Sequence, residues 1–87
     1  MEYEDLQWAV NTLGLLRKSS YSDLKNEYKR LSKIHHPDRG GDAQKFQEIN
    51  EAYSIVKKYM ESFRFLFDEQ EFKKQYPQLQ NELWIAK

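Results

Sequence analysis

The sequence contains no cysteine. Disulfide staples, thiolate zinc sites, iron–sulfur clusters and cysteine nucleophiles are therefore excluded. The absent disulfides suit a reducing compartment, and the expected location is cytoplasmic, or the cytosolic face of a membrane if the chain is part of a longer anchored protein. Apolar runs are only a few residues long, so no transmembrane helix or signal-peptide core is legible. Only three glycines and two prolines interrupt the chain, which points to helices rather than to loops or disorder. Net charge is absent too: fourteen basic residues balance fourteen acidic ones, so no overall field draws the chain to nucleic acid or lipid. Eighty-seven residues allow one small domain. Such a domain hides about 60–65% of its unfolded surface, which leaves no room for a deep two-lobed cleft.

What is present is unevenly placed. Residues 1–16 sum to −3, residues 17–39 to +4 and residues 40–87 to −1. A basic block inside a neutral chain is a candidate docking surface.

Leu6, Val10 and Leu13 are spaced four and three apart, with Trp8 and Ala9 between them. The spacing predicts a short helix over about 4–13, stopped near Gly14. Ser20 and Asp23 form an S-x-x-D capping pattern, so a second helix should begin there. Leu24, Tyr28, Leu31 and His35 make its apolar face, while Lys25, Lys29 and Lys33, with Arg30 beside them, line another. Pro37 disfavours helical geometry at the residue before it and should end the helix near Ile34 or His35. His36 to Gly41 is a turn by composition, and Asp42 is a candidate N-cap. Phe46, Ile49, Tyr53, Val56 and Met60 then give the strongest helical period in the chain. Leu31, Ile49, Ala52, Tyr53 and Val56 are the expected core.

The expected fold is all-α. Helices over about 21–35 and 42–60 form an antiparallel hairpin, with a short N-terminal helix and a C-terminal helix packed across it. Residues 1–60 form the core, and residues 61–87 a divergent segment of the same compact unit. In that segment Phe63, Phe65 and Phe67 alternate with Arg64 and Leu66, a strand-like period without a partner strand. The rings are expected to form a second layer over the hairpin, with a client or partner patch as the lesser alternative. Asp68 and Glu71 form a D-x-x-E cap for a fourth helix over about 68–76, ended by Pro77. Trp84 and Ile85 suggest a tail that packs back.

The residues around the turn admit several readings. A row of lysines is by itself usually a solvated helix face. An acidic partner surface would make it a salt-sensitive docking stripe. Asp38, fixed behind Pro37, could cap the turn locally or present its carboxylate to an arginine. Pro37 lowers the loop's ordering cost on binding. His36 could hold the loop by an internal bond or meet a partner. Tyr28, set between Leu24 and Leu31, reads as a core ring with an exposed hydroxyl. Phe46 reads as core, with an edge near the loop.

Four stretches together resemble the J-domain, the DnaJ-like co-chaperone module. They are the corner Leu13-Gly14-Leu15, the basic helix from Leu24 to Ser32, the loop His36-Pro37-Asp38-Arg39 and the helix from Lys45 to Tyr53. A bare His-Pro-Asp tripeptide is weak evidence. Between a basic helix and a Phe-x-x-Ile-x-x-Ala-Tyr helix it is specific. The resemblance covers about residues 5–56. It implies a binding module, not an enzyme, that docks on a DnaK-type heat-shock ATPase and stimulates its ATP hydrolysis. It implies chaperone-binding roles for His36, Pro37, Asp38, Arg39, Tyr28, Lys25, Lys29, Arg30, Lys33 and Phe46, with no catalytic residue, cofactor or metal. The isolated domain is expected to be a monomer. Two departures stand out: the loop Arg39-Gly40-Gly41-Asp42 is short, and the family's basic fourth helix is not visible. A J-like interaction domain that binds without stimulating is the alternative.

Two other classes fit poorly. His35, His36 and Asp38 sit too close in sequence, with Pro37 among them, to converge on a metal. A basic helix beside a turn resembles a DNA reader, but the net charge is zero and the helix is bound into a hairpin.

Overall fold

The computed structural model describes residues 1–76. Among these residues are four α-helices: α1 (Tyr3–Leu13), α2 (Tyr21–His35), α3 (Ala43–Glu61) and α4 (Glu69–Gln75). A single 3-10 turn, Pro37–Arg39, joins α2 to α3. No strand occurs among the described residues. The expected Pro37 boundary is met, since α2 ends at His35. The Pro77 stop and the Trp84 and Ile85 tail lie outside the described residues.

Local chemistry sets the helix ends. At α1, Glu2 N–H donates to Asp5 Oδ2 at 3.0 Å, a cap that was not read from the sequence. Gly14 ends α1 in the left-handed region at φ 66°, which a side chain would resist. There Gly14 N–H donates to the Asn11 carbonyl and Leu15 N–H to the Val10 carbonyl, a Schellman-type closure. At α2, Asp23 N–H donates to Ser20 Oγ at 3.1 Å, and Ser20 N–H to Asp23 Oδ2 at 2.8 Å. Asp42 caps α3 by accepting from the N–H groups of Gln44 and Lys45. Asp68 caps α4 by accepting from Glu71 N–H at 2.8 Å.

Packing follows the apolar stripes. α1 and α2 both lie against α3. Ala9 and Leu13 of α1, Leu24 of α2, and Ile49, Ala52 and Val56 of α3 form the buried core. Leu6, Val10, Leu31 and Tyr53 are half-buried around it. Of the expected core, Ile49, Ala52 and Val56 are fully inside, whereas Leu31 and Tyr53 are at its edge.

The C-terminal part departs from expectation. Phe63, Phe65 and Phe67 are not a second layer over the hairpin; they are 54%, 70% and 94% exposed. Nor does α4 pack across the hairpin: it buries no residue and makes no close pairing with α1, α2 or α3. The buried face of α3 is already taken by α1 and α2, which both lie against it. The described chain is correspondingly elongated, 52 × 30 × 17 Å. Its radius of gyration of 16.9 Å exceeds the roughly 12 Å of a compact chain this long.

Candidate functional site: the loop between helices two and three

The loop His36–Asp42 is held almost wholly by its own backbone. The His36 carbonyl accepts two N–H groups, from Arg39 and Gly41, each at 3.0 Å. Gly40 N–H donates to the Pro37 carbonyl at 3.1 Å, with Gly40 at φ 80°. Gly41 passes so close to α2 that an added Cβ would lie 2.3 Å from the backbone carbon of His35. Glycine is thus required twice, once for handedness and once for space. The short Gly40-Gly41 insert therefore closes the turn tightly.

His36 fixes the tripeptide from within. Its Nδ1 accepts the backbone N–H of Asp38 at 3.2 Å. Its ring meets Phe46 edge-on, with centroids 5.1 Å apart. Phe46, in the first turn of α3, is half-buried and ties the loop to that helix. Of the two readings of His36, the internal bond is thus present. The Asp38 carboxylate behaves oppositely: its side chain is 91% exposed, and Oδ2 lies 3.8 Å from His36 Nδ1, beyond hydrogen-bond reach. A fixed backbone here carries a free carboxylate. Pro37 and Arg39 are exposed on the same turn.

The cations of α2 are exposed but not all free. Lys29 and Lys33 are exposed. Lys25 Nζ stands 4.8 Å above the Tyr21 ring. Arg30 is paired with Glu27 at 2.8 Å, and that carboxylate, through its hydrogen bond and then its charge, raises the guanidinium above its ordinary value. Arg30 therefore meets a partner only in competition with Glu27.

Tyr28 departs from expectation. Its hydroxyl does not point to solvent; it donates to Asn50 Oδ1 at 2.7 Å across to α3. Its ring stacks on Tyr53 at 4.1 Å. Tyr28 thus buckles α2 to α3. Asn50 was missed in the sequence. A polar residue on the side of α3 between Ile49 and Tyr53 was the available signal. No group of three or more His, Asp or Glu side chains able to hold a metal occurs among the described residues. No helix among them is long and apolar enough to cross a membrane.

Comparison with known proteins agrees with this geometry. The DnaJ domain family model matches residues 10–62. The chain belongs to the DnaJ domain family. The match spans α2, the loop and α3, with the last turn of α1. It is similar to the Chaperone protein DnaJ of Deinococcus proteolyticus, 43% identical over 60 residues, or 64% of this chain and 18% of that protein. The Chaperone protein DnaJ of Acidiphilium cryptum is 49% identical over 49 residues, 52% of this chain and 13% of that one. Chaperone protein dnaJ 3 of Arabidopsis thaliana is 43% identical over 44 residues, 51% of this chain and 10% of that one. The chain thus spans less than a fifth of the length of these curated relatives. No solved structure matches it.

Proposed function

We propose that this DnaJ domain is a co-chaperone module that docks on a DnaK-type ATPase and stimulates its ATP hydrolysis. The observation that carries the reading is the pairing of a locked backbone with an open carboxylate at Asp38. Such an acceptor suits a bidentate contact with an arginine of the partner, because little entropy is lost on binding. Lys25, Lys29 and Lys33 steer the approach toward an acidic surface, with Arg30 joining where it leaves Glu27. The module does no chemistry of its own. It accelerates hydrolysis only if it binds the hydrolysis-competent form of the ATPase more tightly than the resting form. His36 acts through Asp38 by holding its N–H.

The test is single-turnover ATP hydrolysis by a DnaK-type chaperone with and without the chain. Acceleration is expected, and His36→Gln and Asp38→Asn each abolish it while the helical circular dichroism stays native. A double variant that still stimulates would refute the assignment. Charge reversal at Lys29 and Arg30 should weaken binding and flatten its salt dependence.

A further inference from the structure

The described C-terminal part carries an unused surface. Phe63, Phe65 and Phe67 lie on one face, with successive ring centroids 5.4 and 6.4 Å apart. Tyr59 continues the row into α3 at 6.4 Å from Phe63. Arg64 and Leu66 alternate with these rings, as in a strand. Yet no backbone hydrogen bond within the described residues involves an N–H or C=O of Arg64 through Phe67. The segment has a strand's alternation of side chains, and among the described residues its backbone groups are free to pair. A cavity of about 800 Å³ lies between its rings, Phe72 of α4 and Tyr76 at that helix's C-terminal cap.

The segment is complementary to itself. Turned antiparallel about Leu66, it sets Arg64 opposite Asp68 of the other copy, Phe65 opposite Phe67, and Leu66 opposite Leu66. Turned about Phe65, it sets Arg64 opposite Leu66 and loses the charge match. Asp68 Oδ1 is committed to capping α4, which leaves Oδ2 for the arginine. Asp68 itself is extended, at φ −126° and ψ 168°, as antiparallel pairing at that position requires. Pairs of aromatic rings and of opposite charges are the cross-strand contacts that stabilise antiparallel ribbons. Register is fixed by such patterns.

We propose that residues 63–68 pair antiparallel with the same residues of a second copy of this chain, giving a two-fold symmetric dimer. The N–H and C=O groups of Phe65 and Phe67 form the ladder. The rings of the two copies meet over the cavities beside α4. Two Arg64–Asp68 pairs flank the Leu66 pair on the opposite face. This proposal stands against the monomer expected from the sequence, and the exposed rings are the observation that favours it. The interface lies at the end of the hairpin opposite the His36–Asp38 loop, about 28 Å away along the nineteen residues of α3. Both loops of the dimer therefore remain open to partners.

The absence of native cysteine makes the test direct. Leu66→Cys introduces the only thiol. On the two-fold axis of a non-hydrogen-bonded pair its Cα atoms stand about 4.5 Å apart, within disulfide range. Mild oxidation should convert this variant to a covalent dimer. Arg64→Cys, whose copies lie about 13 Å apart in this register, should not cross-link. Sedimentation of the unmodified chain should show the mass double with concentration. Phe65→Ser and Arg64→Asp should each weaken association at least tenfold with the helical circular dichroism unchanged. ATPase stimulation per chain should stay the same in both. A chain that remains monomeric at high micromolar concentration overturns the proposal. Equal cross-linking at positions 64 and 66 overturns the register. Mass gained only on adding an extended apolar peptide would overturn self-pairing and assign the surface to another protein.

Discussion

The two ends of the α2–α3 hairpin handle exposed chemistry in opposite ways. At the loop end every backbone donor from Asp38 to Gly41 is paired within the loop, and what reaches solvent is a carboxylate and a few cations. At the far end the backbone from Arg64 to Phe67 is unpaired among the described residues, and what reaches solvent is aromatic. The first surface is ordered before any partner arrives. The second gains its order from whatever pairs with it. The difference teaches that exposure alone does not define a site; what holds the exposed group decides what kind of partner it suits.

Three substitutions sharpen or break that contrast. Ile49→Ala should have the largest effect, because Ile49 is fully buried where the three helices meet. A loss of about 2–5 kcal/mol is expected in urea unfolding, with the loop end failing along with the core. Gly41→Ala should come next. Its Cβ would strike the His35 backbone, so the loop must shift. A cost of about 1–3 kcal/mol is expected, together with lost ATPase stimulation. If Gly41→Ala instead unfolds and stimulates like the unmodified chain, the loop is not built as rigidly as its hydrogen bonds imply. Phe67→Ser should change unfolding least, within about 0.5 kcal/mol, since the side chain is 94% exposed. A large loss there would mean that the strip supports the core, and the contrast between the two ends would fail.

Most of the helical frame was legible because its signals are local. Ser20 with Asp23, Asp42, Asp68, Gly14 and Pro37 each act within a few residues, and each marks a boundary where the structure has one. The apolar periods of α1, α2 and α3 identified their buried faces for the same reason. The His36-Pro37-Asp38 loop was recognisable from its neighbours on both helices. What was not legible depends on distant partners. The Tyr28 hydroxyl was expected at the surface, yet its acceptor, Asn50, lies twenty-two positions further along the chain. The alternation of Phe63, Phe65 and Phe67 showed that one face is aromatic, but not that α1 and α2 had already taken the buried face of α3. The pairing of Arg30 with Glu27, by contrast, is local and is written in their i,i+3 spacing.

The inward use of His36 Nδ1 has a consequence for selectivity. With that nitrogen occupied as an acceptor, the neutral ring carries its proton on Nε2 and can only donate outward. Two residues on, Asp38 can only accept. The turn therefore displays a directed pair, proton-giving at one point and proton-taking at the next, across a fixed span. A surface offering the reverse polarity would leave two buried groups facing like groups, and would be rejected even if its overall charge and shape were right.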